Sequence, residues 1–86
     1  MPEISRFFGI IVRMFYDDHP PPHVHVEYQG QMAKLDFNGN VLQGDLHSRT
    51  ALRLVRDWID LHTPELERDW QLAREARPLA KIAPLE

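Results

Sequence analysis

Residues 4–16, ISRFFGIIVRMFY, are rich in β-branched and aromatic side chains, and Ile10, Val12, Met14 and Tyr16 recur at period two. That alternation predicts one strand with those four side chains on its core face, or two short strands broken at Gly9, where a glycine marks a bend or bulge. Residues 17–22 must form a loop, because Pro20, Pro21 and Pro22 remove three successive backbone donors and fix φ. The loop leads into HVHVEY, where alternation puts Val24, Val26 and Tyr28 toward the core and His23, His25 and Glu27 on the opposite face. After the tight connection Gln29-Gly30-Gln31, Ala33, Leu35 and Phe37 alternate with Lys34 and Asp36 as a third strand. Asn38-Gly39-Asn40 supplies the positive φ angles of a hairpin turn, so Val41 and Leu42 begin a fourth strand that ends near Gly44.

The period then changes. Ser48 is a good N-cap for a helix running to about Leu61, with Ala51, Leu54, Val55, Trp58 and Leu61 as its apolar stripe. On its outer side Arg53 and Asp57, and Arg56 and Asp60, have the spacing of ion pairs. Thr63 as N-cap, Pro64 in the first turn and Glu65 behind it restart a helix that buries Leu66, Trp70 and Ala73 and stops at Pro78. The apolar tail LAKIAPL is expected to dock on the sheet or on a partner. The expected architecture is a single α+β domain over residues 1–86, a three- or four-stranded antiparallel sheet followed by two C-terminal helices packed on one face.

At 86 residues the chain has room for one core and not for two. The absence of cysteine excludes disulfide scaffolds, thiolate zinc sites and thiol nucleophiles, so any metal must use His and carboxylate ligands. A formal charge of −3 argues against gripping duplex nucleic acid over the whole surface, and RNA binding is not indicated by it. The first apolar run is far too short to span a bilayer and follows no leader pattern, which makes a cytoplasmic location the expectation.

Chemistry is concentrated between Asp17 and Glu27. Residues two apart on a strand lie about 6.5–7 Å apart on one face, so His23 and His25 can converge on one ion, with Glu27 further along. His19, Asp17 or Asp18 could complete the shell from the loop. Two imidazoles and a carboxylate suit a divalent metal such as Zn, Mn or Ni. Without a metal, His23, His25 and His19 are candidate general acids and bases, with Arg6 or Arg13 neutralising charge on a phosphate. A third reading makes the proline ridge, with Pro21 and Pro22 at its centre, a protein-docking loop held at low entropic cost. Arg49, Arg53 and Arg56 read as a solubilising helix surface, and Trp58 and Trp70 as core. No Gly-rich phosphate loop, nucleophile elbow or HExxH is present, which makes the common nucleotide-hydrolysing and hydrolase mechanisms a poor fit.

The segments DDHPPPHVHV (residues 17–26), GDL (44–46) and ALRLVRDW (51–58) together resemble the small bacterial family called domain of unknown function 4160. The likeness extends to the opening MPEISRF, to Leu66 and Trp70, and to the closing PLAKI; the third proline, Pro20, stands where other members carry a polar residue. The resemblance implies the toxin-like half of a toxin-antitoxin gene pair, with a small antitoxin-like protein of family of unknown function 2442 as its partner. Exposed sheet edges and a polar sheet face also offer two routes to a homo-oligomer. The competing functional classes are a non-enzymatic protein-binding module and a small metal-dependent hydrolase or nuclease.

Overall fold

The structure, a computed structural model, describes residues 2–16 and 18–86; Met1 and the candidate ligand Asp17 lie outside the described residues. Five strands, β1 (Glu3–Phe7), β2 (Ile10–Arg13), β3 (His23–Tyr28), β4 (Gln31–Asp36) and β5 (Val41–Gly44), precede the helices α1 (Arg49–Leu61) and α2 (Thr63–Arg74). The strands form one antiparallel sheet in chain order, a meander. The fifth strand arises because residues 4–16 do break: Phe8 and Gly9, both at positive φ, turn the chain so that β1 folds back on β2. Among the described residues no helix is long and apolar enough to cross a membrane.

One sheet face is apolar because the side-chain period is two. Val12 lies opposite Val26, Val24 opposite Leu35, and Val26 opposite Ala33, so these positions form a continuous surface with Ile10 and Met14. The helices close this surface with Val55, Trp58 and Ile59 from α1 and Leu66, Trp70 and Ala73 from α2. The Trp58 ring packs on Phe7, with centroids 5.6 Å apart.

The Ser48 hydroxyl caps α1 by accepting from Ala51 N–H at 3.1 Å, as its sequence position predicts. The start of α2 differs from the expectation. His62 occupies the N-cap position without a side-chain cap bond, while the Thr63 hydroxyl donates to the Ile59 carbonyl, so the two helices join almost without a linker. The α2 helix also stops at Arg74, a turn before Pro78. Tyr16 is exposed rather than buried, because β2 ends at Arg13 and the alternation ends with it; its hydroxyl donates to the Arg77 carbonyl. The expected Arg53–Asp57 and Arg56–Asp60 pairs are absent among the described residues; Arg56 Nε instead donates to the Gly39 carbonyl at 2.8 Å and ties α1 to the β4–β5 turn.

The apolar tail docks on its own chain. Ile82 is buried and its N–H donates to the Ile4 carbonyl at 2.8 Å, capping part of the edge strand β1, while Trp58 Nε1 donates to the Ala83 carbonyl. Asp69 Oδ1 accepts from Ala80 N–H, and burial pushes this carboxyl above the usual carboxylate range despite that bond.

Two substitutions test this arrangement. A Cβ at Gly44 would lie 2.3 Å from the Met32 carbonyl oxygen at a φ of +83°, so Gly44→Ala is expected to cost at least about 2 kcal/mol in urea unfolding. Ile82→Ala is expected to cost about 2–4 kcal/mol; an unchanged midpoint would mean that the tail is not docked in solution.

Candidate functional site

The start of β3 carries the candidate chemistry because the prolines end there: Pro22 cannot donate to the sheet, and the ladder begins with His23 opposite Asp36. Alternation assigns His23 to the face opposite Val24, yet its relative exposure is only 2%. A position on the polar face of a strand would ordinarily be solvated. The Trp70 ring of α2, 5.4 Å away, and the His25 ring, 5.1 Å away, cover it, and the proline loop closes over its edge.

His23 Nδ1 lies 2.7 Å from the Pro21 carbonyl oxygen, an acceptor only, so Nδ1 carries the proton. In a neutral ring Nε2 then presents a lone pair. That atom is buried, stands 2.9 Å from Asp18 Oδ2, and is out of line for a hydrogen bond, so it has no hydrogen-bond partner. A bare lone pair against a carboxylate oxygen is repulsive; only a proton or a cation between them makes the contact favourable.

His25 supplies the third atom. Its Nε2 lies 2.9 Å from the same Asp18 Oδ2 and forms a hydrogen bond with it, while its ring stands edge-on to Phe15 at 4.3 Å. One ligand atom from each of Asp18, His23 and His25 falls within 4.8 Å of the others. Burial alone would push the Asp18 carboxyl up; the hydrogen bond from His25 and the charges of His23 and His25 outweigh it and hold the group below the usual carboxylate range.

The other expected site residues fall elsewhere. Glu27 faces the same side but is taken by Arg13, whose guanidinium lies 2.9 Å from Oε1. His19 is exposed on the loop and outside the cluster. Arg6 pairs with Glu3 at 2.7 Å on the outer strand and is separated from Glu27 by Ile11. Arg13 lies directly opposite His25 and so does flank the site. Pro21 contributes its carbonyl and Pro22 ends the loop, while all three proline rings remain exposed.

Sequence reasoning missed Lys34, which lies opposite His25 on β4. The alternation of β3 and β4 put both residues on the polar face, and only the hairpin register makes them neighbours.

The model of the domain of unknown function family DUF4160 matches residues 9–71, spanning the proline loop, the histidine strand and both helix starts. The chain belongs to this family. No curated protein and no solved structure matches it. Within this DUF4160 chain the match takes in Asp18, His23 and His25 together.

The depressed Asp18 carboxyl fixes the sign of a pH effect. A carboxyl whose folded pKa lies below its unfolded value adds stability above the unfolded value, and that stability is lost as pH falls through the folded one. Between about pH 5.5 and 3 the wild type should therefore lose stability faster than Asp18→Asn in urea titrations, and parallel curves would refute the ion pairing.

Proposed function

We propose that Asp18, His23 and His25 hold one divalent cation, and that the domain is a small metal-dependent hydrolase serving as the toxin-like half of a two-gene pair. The observation that carries the metal reading is the buried, unpartnered Nε2 of His23 facing Asp18 Oδ2 and near His25 Nε2. The donor set supports zinc first, since three protein ligands, two imidazoles and one carboxylate, match catalytic zinc sites that keep a position open. The Pro21 carbonyl acts as the outer partner that fixes the tautomer and orientation of His23, as ligating imidazoles usually require. Asp18, His23 and His25 would hold a zinc ion there, and the chemistry it would supply is a bound water acidic enough to ionise near neutral pH.

The chain's own groups define what must happen for an ion to enter. His25 Nε2 must release the proton it shares with Asp18, and both imidazoles must be neutral, so affinity should fall as pH is lowered. The exposed prolines favour one further reading, a docking ridge for a small antitoxin-like protein of family of unknown function 2442. The two are compatible, because the ridge shows its rings outward while the Pro21 carbonyl serves His23.

Isothermal titration of zinc, manganese and nickel tests the metal reading. One zinc per chain is expected, weakened on the order of 100-fold or more by Asp18→Ala or His25→Ala, since loss of an outer partner alone costs 10–100-fold. His23→Gln should do the same, with circular dichroism reporting whether the fold survives. Zinc at 100 times its Kd should add about 2.7 kcal/mol of stability. Expression of the chain alone should slow bacterial growth, and Asp18→Ala or His25→Ala should relieve it. Toxicity that survives both substitutions would remove the centre from the function and leave the proline ridge.

A further inference from the structure

The register of the sheet places Arg13, His25, Lys34 and Gln43 directly opposite one another on β2, β3, β4 and β5, one row across the polar face. Beside the cation centre this row opens into a cavity of about 310 Å³ lined by His25, Lys34 and Gln43, with Met32, Ala33 and Gly44 at its β4–β5 end. His25 therefore belongs to both places: its Nε2 faces Asp18 while the residue forms part of the cavity wall.

Among the described residues Lys34 is the cation available there. Arg13 is engaged by Glu27, and Arg6 by Glu3 on the edge strand β1. The neighbouring acids are also committed: Glu27 to Arg13, Asp18 to the two imidazoles, and Asp36 to the backbone N–H groups of Asn38 and Asn40. Among the described residues Lys34 makes no ion pair, and its cross-strand neighbours are an imidazole and a neutral amide. A half-buried lysine lining the cavity, with an amide side chain opposite it and a cation centre within one residue's reach, is complementary to an oxyanion.

We propose that Lys34 and Gln43 form the substrate-anion subsite of the metal centre, and that the group bound is a single phosphodiester. The inference rests on the cation-centre reading above. A phosphodiester carries one negative charge over two free oxygens, which one ammonium and the edge of a metal centre can share. The chain's net charge of −3 disfavours a long polyanion lying across the surface, so the ligand is of nucleotide size and enters this cavity alone. Lys34 is a binding and orienting residue; the atoms that would hold the metal are those of Asp18, His23 and His25.

The test is a titration of diphenyl phosphate into zinc-loaded and zinc-free protein, followed by amide NMR, with the wild type, Lys34→Met, Lys34→Arg and Gln43→Ala compared. Saturable shifts at Lys34, Gln43 and His25 are expected, with Kd raised on the order of tenfold in Lys34→Met and largely restored in Lys34→Arg. Zinc affinity, measured separately by calorimetry, should stay within about twofold of wild type in Lys34→Met, because no zinc-holding atom changes. Equal diphenyl phosphate affinity in the wild type and Lys34→Met would overturn the subsite, as would equally tight binding of acetate or shifts confined to other parts of the sheet. Failure of zinc to bind the wild type would instead overturn the cation centre, and the calorimetry reads that independently of the Lys34 comparison.

Discussion

The packing of one imidazole organises this end of the molecule. His23 stands at the first residue of β3, where the prolines have just released the chain into the sheet, and it is buried at a position that strand alternation would leave in water. Burying a polar ring is unfavourable unless its nitrogens are satisfied. One nitrogen is satisfied by the Pro21 carbonyl within the same loop, while the other is aimed at Asp18 without hydrogen-bond alignment. The fold thus holds a ring whose second nitrogen becomes favourable only with a positive charge beside it.

The surrounding architecture maintains that arrangement. The Trp70 ring of α2 reaches over the start of β3 and excludes water from His23, and α2 is placed by a helix junction so short that His62 both ends α1 and precedes α2. The docked tail, bonded to Asp69 on α2 and to Ile4 on β1, ties that helix to the far edge of the sheet. The core that gives the domain its stability is also the frame that keeps the imidazole buried, so function and packing are coupled in a chain too small to separate them. Beyond His23, which Trp70 covers, the same sheet face carries the polar row from Arg13 to Gln43.

Much of this was legible in the order of residues. The period-two runs, the three prolines, the Asn38-Gly39 turn and the Ser48 cap each act over a few residues, and each predicted its element. The His-x-His spacing and the loop acid Asp18 were likewise local signals, sufficient to point to three side chains that the fold brings to one place. What was not legible depends on pairing between distant segments. Glu27 had the right spacing but was diverted by Arg13, a neighbour only through the β2–β3 register. Lys34 acquires its meaning only when β4 is laid beside β3, and His23 becomes buried only when a helix over forty residues later is folded onto it. Period-two alternation alone is compatible with one strand or two across Gly9, and the backbone turn at Phe8 and Gly9 makes it two.

The most direct test of the central claim is the protonation and ligation state of the His23 ring, observed by long-range proton–nitrogen NMR with and without one equivalent of zinc. The account predicts that the Nδ1–H of His23 persists throughout, held by Pro21, and that zinc moves the Nε2 signals of His23 and His25 together to the positions of metal-bound nitrogen. Imidazole signals that ignore zinc, or a His23 that is protonated at Nε2 and bare at Nδ1, would contradict it.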